Sequence, residues 1–323
     1  MSRSEFDLIA AYFDGLGSRR GDVALGVGDD AALLAPPAGR NLAVCTDTLV
    51  ADVHFPEDAP PGAVGHKALA VNLSDLAAIG AEPAWATLAL TVPEVDEDWL
   101  SAFARGFGDL ARYHQVSLVG GDTCRGPLSV TVQVMGFVPP GRALRRSRAA
   151  AGDAIFVSGT LGDAALGLRL WRQHATAASS DAGWLVERLH RPTPRVSLGI
   201  ALRDLATACI DISDGLAADL SHVLEASGTG ALVDVDRLPL SGAGRRFGGG
   251  RSHWRTAISG GDDYELCFTV PRSRLHAVDA VASRVGVELT RIGTIQPGGG
   301  LQLVHADRTP VRLSRSGYRH FGE

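Results

Sequence analysis

Apolar positions along the chain fall into short runs that suit strands, separated by longer stretches with helical spacing. Residues 23–34 and 41–50 read as strands, the second, "NLAVCTDTLV", built around the apolar core "LAVC". "HKALAVNLSDLAAIG" (66–80) puts Leu69, Leu73 and Leu76 on one helical stripe, with Gly80 as its stop. "AWATLALTV" is a strand, 97–114 an amphipathic helix, "VSLVGGDT" a strand ending in glycines, and "LSVTVQVMGFV" a further strand. "PPGRALRRSRAAAGD" (139–153) breaks the pattern with prolines, small residues and a basic run, as a domain boundary does.

The pattern then restarts. "AIFVSGTLG" is a strand turning into a helix near 162–174, helical stretches follow to about 206, and "ACIDIS" leads into a helix at 215–227 closed by Gly228. "ALVDVDRL", "ISGGDDYELCFTV", "LTRIGTI" and "LQLVHA" read as strands, with a helix at 272–285, while "FGGG" and "PGGG" read as surface turns. Both halves mix strands and helices without the regular alternation of a doubly wound sheet. The expectation is an α+β class with two mixed α/β domains, residues 1–140 and 151–323.

Composition narrows the function classes. With 31 basic against 36 acidic residues the formal charge is −5, so no basic excess exists to neutralise nucleic-acid phosphates. Four scattered cysteines (Cys45, Cys124, Cys209, Cys267) without a C-x-x-C pair suit a reducing compartment. No signal-type start and no uncharged apolar run near 18 residues is present. A cytoplasmic protein without membrane partners is expected. Lys67 is the single lysine among the basic residues, and it reads either as a phosphate ligand or as a surface helix residue.

The acids supply the candidate chemistry. They stand at strand ends or helix starts beside Gly, Ser or Thr: Asp29–Asp30, Asp47, Asp122, Asp211 and Asp214, and Asp262–Asp263. Each has a plain structural alternative. Asp214 could cap the helix after it, Asp122 could shape a turn, and Asp75, one turn beyond Asn72, could sit on a solvated helix face. As a set, short carboxylates at the ends of buried elements suit Mg²⁺, which keeps water and substrate phosphates as its other ligands. Neighbouring glycines allow close backbone approach to phosphate oxygens. Neither a P-loop, a protein-kinase set, nor a dinucleotide fingerprint occurs.

"GVGDDAALL", "TDTLV…HF", "HKALAVNLSDLAAIGAEP", "GGDTCRGPLSVTVQVMGFVP", "DISDGLAADL" and "SGGDDYELCF" together resemble the thiamine-monophosphate kinases. That family lies in the ATP-binding superfamily with aminoimidazole ribonucleotide and selenophosphate synthetases. The resemblance runs from about Phe6 to the C-terminal "SGYRHF". It implies ATP-dependent phosphorylation of thiamine monophosphate to thiamine diphosphate. It also implies a homodimer whose N-terminal sheets form a barrel across the interface, and a C-terminal domain completing the active site. By motif, Asp30, Thr46, Asp47, Asp75, Asp122, Asp211 and Asp214 would bind several Mg²⁺ ions, with K⁺ a further candidate ion. Gly121, Asp122, Arg146 and Ser213 would contact ATP; His54, Asp262 and Tyr318 would meet thiamine monophosphate. The chain departs from the family at Cys45, where Ser or Thr is usual, and at Asp262, where Glu is usual.

The acceptor is itself a phosphate and needs no strong base, so direct in-line transfer without a catalytic side chain is expected. The rivals are another reaction of the superfamily, selenophosphate synthesis or amidine ring closure, and a non-catalytic nucleotide or thiamine-phosphate binder.

Overall fold

The computed structural model describes residues 5–175, 179–248, 254–313 and 317–318. The chain forms two compact units: Met1–Leu76 with Ala81–Gly141, and Ala77–Gly80 with Arg142–Glu323.

The first unit opens with helix α1 (Glu5–Tyr12) and a small hairpin, β1 (Val23–Leu25) with β2 (Leu33–Leu34). The single strand expected over 23–34 is therefore two. The glycines and paired aspartates of 26–32 interrupt it, with Gly28 at φ +112°. Then come β3 (Asn41–Val50), α2 (Pro61–Ile79), β4 (Glu82–Val92), α3 (Glu97–Tyr113), β5 (Ser117–Arg125) and β6 (Ser129–Val138). Strands β3, β6, β4 and β5 form one mixed sheet in that order, with β4 and β5 parallel.

Helix α2 starts five residues before the expected 66 and is buried nearly all round, with Leu69 and Leu73 fully covered. It packs so tightly on α3 that a Cβ on Gly65 would stand 2.2 Å from the Phe103 carbonyl oxygen, and one on Gly106 1.9 Å from that of Gly62. Helix α3 is amphipathic as expected, and Asp96 caps it by accepting the N–H groups of Asp98 and Trp99.

The second unit contains β7 (Ala154–Ser158), α4 (Asp163–Arg172), α5 (Ser180–His190), α6 (Val196–Leu202), β8 (Ala208–Asp211), α7 (Leu216–Ser227), β9 (Gly230–Asp234), α8 (Gly242–Phe247) and α9 (Trp254–Ser259). It continues with β10 (Leu266–Val270), α10 (Val278–Val285), β11 (Leu289–Gln296), β12 (Gly300–Val304) and β13 (Pro310–Val311). One seven-stranded sheet runs β13-β12-β9-β11-β7-β10-β8, mostly antiparallel, with β9 and β12 parallel. Strands β7, β8 and β10 are buried at every residue, which explains their unbroken apolar runs. The strand expected over 258–270 covers only its last five residues. The stretch before it is the end of α9 and a loop whose Asp262 and Tyr264 have φ of +68° and +50°. The first three residues of "PGGG" form the turn between β11 and β12 and Gly300 opens β12, whereas Gly249 and Gly250 of "FGGG" lie outside the described residues.

Among the described residues no helix is long and apolar enough to cross a membrane.

Candidate active site

In the first unit the two glycine–aspartate motifs meet. The loop between β1 and β2 carries Asp29 and Asp30, and β5 carries Gly120, Gly121 and Asp122. All five line a cavity of about 340 Å³ whose apolar side is Phe6, Ile9, Phe13, Val27, Leu88 and Leu118. Asp29 shapes the turn, because its Oδ1 accepts the N–H of Asp30 at 2.8 Å. Gly121 is required by the pairing of β5 with β4: a Cβ there would lie 1.8 Å from the Leu88 carbonyl oxygen. The backbone of that strand therefore forms the cavity wall directly.

A second group surrounds Asn72, which is fully buried on α2. Its Oδ1 accepts the N–H of Asp47 at 3.1 Å, its carbonyl accepts the Cys45 thiol at 3.3 Å, and its Nδ2 donates to the Ala68 carbonyl at 3.0 Å. The amide thus ties β3 to the helix turn that precedes Asp75. Asp75 itself is half-buried, not on an open face. Adjacent strand residues point to opposite faces. Cys45 and Asp47 are half-covered, while Thr46 stands on the exposed face with Leu42 and Val44, its Oγ1 accepting from Gln133 Nε2 at 3.2 Å.

His54 is held with Nδ1 accepting the Val50 N–H at 3.0 Å, which leaves Nε2 as its other polar atom. Beside it, Lys67 is 2% exposed and its Nζ donates to the His54 carbonyl at 3.2 Å. Lys67 is not a surface residue. Its ammonium ties α2 to the loop that carries His54.

In the second unit Asp211 ends β8 and is 5% exposed. The loop Ser213–Asp214–Gly215 follows, and Gly215 caps α7 with no side-chain bond, so Asp214 does not cap that helix. The turn before the helix is held instead by a residue the sequence did not single out. Asp219, in the first turn of α7, accepts the N–H groups of Ser213, Asp214 and Gly215 on one oxygen, each at 3.1 Å. Burial, with the nearby Asp211 and Asp214 carboxylates, pushes its acid up to about 7 against the pull of those N–H groups.

The "SGGDDYEL" loop packs on the same turn. The Asp262 N–H donates to the Ser213 carbonyl at 2.8 Å, and the Tyr318 N–H donates to the Asp214 carbonyl at 3.0 Å. Tyr264 Oη donates to Asp262 Oδ1 at 3.1 Å. Ser213, Asp214, Asp262 and Tyr318 therefore share one surface. Arg146 is exposed on a short 3₁₀ turn (Arg146–Arg148), with its carbonyl accepting from Ser227 Oγ at 2.8 Å.

The other acids of this loop are structural. Asp263 is buried and both its oxygens accept the Gly162 N–H, at 2.9 and 3.0 Å; burial raises its acid well above the ordinary carboxylate range. Glu265 is fully buried, paired with Arg195 at 2.5 Å and Arg188 at 3.4 Å, and it accepts from Ser158 Oγ at 2.6 Å. Removing both arginines would strand a buried charge.

Among the described residues no three His, Cys, Asp or Glu side chains form a ready metal cage. The donor types nevertheless fit Mg²⁺: carboxylate and hydroxyl oxygens, several of them exposed to share with water or phosphate.

Residues 28–138 match the AIR synthase related protein family in its N-terminal domain, and residues 150–306 match its C-terminal domain. Thiamine-monophosphate kinase of Salmonella typhimurium is 52% identical over 323 residues, covering 99% of each chain. The crystal structure of thiamine-monophosphate kinase from Stenotrophomonas maltophilia is 52% identical, covers 88% of this chain and 92% of its own, and superposes with a TM-score of 0.85. AaThiL complexed with AMPPCP and TMP is 31% identical, covers 89% of both chains and has a TM-score of 0.80.

Proposed function

The chain belongs to the thiamine-monophosphate kinases of the AIR synthase related family, and on that premise we propose how its own residues carry the reaction. It is an ATP-dependent kinase of thiamine biosynthesis that converts thiamine monophosphate to thiamine diphosphate. The carrying observation is the cavity in which "GVGDD" and "GGDT" meet, with an apolar wall and a glycine–aspartate rim. The apolar wall suits a nucleobase. The rim, with backbone exposed at Gly120 and Gly121, suits a metal-bound polyphosphate.

In this reading Asp30, Asp122 and Gly121 hold ATP and its ions, joined by Asp47 and Asp75 on β3 and α2 and by the backbone carbonyl of Thr46, whose side chain lies on the opposite face of β3. Asp211 and Asp214 hold metal in the second unit, where Ser213 and Arg146 contact the nucleotide. Mg²⁺ held by these carboxylates would supply positive charge that screens the two phosphate-bearing substrates and offsets charge developing on the transferring phosphoryl group. K⁺ is a companion ion in the same proposal. His54, Asp262 and Tyr318 orient thiamine monophosphate.

The acceptor oxygen belongs to a phosphate whose second pKa is about 6, so it is largely dianionic near neutrality. No side chain has to remove a proton, and direct in-line transfer follows without a phosphoenzyme. The edge strand β3 shows Leu42 and Val44 about half exposed (49% and 51%) on one face. That face supports a homodimer with a barrel closed across the interface. The acidic, disulfide-free chain supports a cytoplasmic enzyme.

The test is to mix the purified protein with MgATP and thiamine monophosphate. Thiamine diphosphate and ADP should appear in equal amounts. ATP consumption only with selenide or a formylglycinamidine substrate would overturn the assignment, as would stoichiometric binding without turnover.

A further inference from the structure

The turn after β8 carries Ser213 and Asp214 and passes through Gly215 into α7. Gly215 has no side chain, its φ is +118°, and α7 begins without a side-chain cap. The turn is instead held from two sides. Its three consecutive N–H groups converge on Oδ2 of Asp219, which is 3% exposed. Its carbonyls point the other way and accept the N–H groups of Asp262 and Tyr318. We propose that Asp219 is the positioning residue of this site: its carboxylate sets the backbone path that aims Ser213 at ATP and Asp214 at metal, and through the two carbonyls it also places Asp262 and Tyr318. The proposal rests on the reading of the active site given above.

The chemistry of the side chain favours this role. One oxygen accepts all three N–H groups whether or not the other carries a proton, and ionisation strengthens those bonds. The carboxylate also sits in the first turn of a helix, where the positive end of the macrodipole stabilises it. Aspartate is short enough to reach back over one turn, from position 219 to the N–H of Ser213. A close Cβ contact explains why the facing loop must be glycine: at Gly261 a Cβ would stand 2.5 Å from the Ser213 carbonyl oxygen. The turn is thus clamped between a buried acid and a glycine backbone. A shift of Asp219 has no slack to absorb it.

The full-length chain would be tested as Asp219→Ala and Asp219→Asn. Three readouts are compared with wild type: the Mg²⁺ concentration for half-maximal turnover, the affinity for Mg-AMPPCP without acceptor, and the thermal midpoint by circular dichroism. Asp219→Ala should raise the first and weaken the second by roughly tenfold or more, the size expected for losing bonds to a charged acceptor. Asp219→Asn keeps an acceptor oxygen in place and should recover most of that loss. A merely structural role would lower the folded fraction but leave the folded molecules with wild-type Mg²⁺ half-saturation and nucleotide affinity. That result overturns the proposal. If Asp219→Ala does not fold, Asp219→Asn decides alone: about a threefold shift in both quantities supports the role, and no shift removes it. Nucleotide affinity is measured without thiamine monophosphate, so an error in the acceptor would leave this arm intact. It would show only as absent thiamine diphosphate with the wild-type protein.

Discussion

Asp262 occupies a backbone conformation that few side chains tolerate, φ +68°, and aspartate is among those that do. Its carboxylate is held by the Tyr264 hydroxyl, and its N–H is tied to the turn that carries Ser213. Thiamine offers a permanent cation and an aminopyrimidine. Tyr318, about half exposed, gives an aromatic face worth roughly 0.5–2 kcal/mol to such a cation. Asp262→Ala and Tyr318→Ala should each raise the KM for thiamine monophosphate several-fold while changing that for ATP less than about twofold. Asp262→Glu should keep or improve the affinity, since water can replace a direct contact at little cost in the native enzyme. Steady-state kinetics with both substrates varied would check this, and loss of ATP binding in Asp262→Ala would move the carboxylate into the metal set. Lys67 acts one step further back. Its compact ammonium meets the His54 carbonyl at a buried position, where a larger planar guanidinium would have to displace its neighbours. Lys67→Arg should therefore lower the thermal midpoint and raise the KM for thiamine monophosphate. Wild-type values for both would detach the lysine from the substrate loop.

Elements set the path of the phosphate-facing backbone, and Gly121 shows how narrow the tolerance is. A methyl group at that position would lie 1.8 Å from the Leu88 carbonyl, so β5 could stay paired to β4 only by moving. Gly121→Ala should cost about 2 kcal/mol or more in denaturant unfolding and abolish nucleotide binding even where the chain remains folded. The sheet and the helices around it were legible because their apolar spacing is set by burial: α3 and β3 stand where the pattern puts them. The loops were not. "GVGDDAALL" and "SGGDDYEL" carry strand-like apolar ends, but positive-φ residues at Gly28, Asp262 and Tyr264 turn the chain where periodicity sees continuity. The acids divide for a similar reason. Asp262 and Asp263 are neighbours of one type, yet one faces the Ser213 turn and the other closes on Gly162. Glu265 finds its arginines 70 and 77 residues away. Asp219 looks in sequence like any acid in a first helical turn. Only the direction of three N–H groups reveals its task.

For the molecule as a whole, the acids and glycines are arranged for a repulsion problem. Two substrates carrying phosphate meet a chain of net charge −5, so attraction has to come from cations and a few arginines rather than from the overall field. Asp30 and Asp122 offer the cleanest test, because both line one cavity within one unit. If each holds an ion shared with the nucleotide, Asp30→Asn and Asp122→Asn should each cut turnover roughly a hundredfold or more, the scale of losing metal-borne charge stabilisation. The double variant should be little worse than the poorer single, since the second change removes a ligand from an ion already lost. Both exposed side chains are isosteric in the amide form, so circular dichroism should report an unchanged fold. Excess EDTA should abolish wild-type turnover and added Mg²⁺ restore it. Free thiamine should remain unphosphorylated throughout, because an alcohol acceptor requires a base that this arrangement does not provide. Multiplicative losses in the double variant, or turnover that persists in EDTA, would mean that the two carboxylates act separately and that the repulsion is overcome without shared metal.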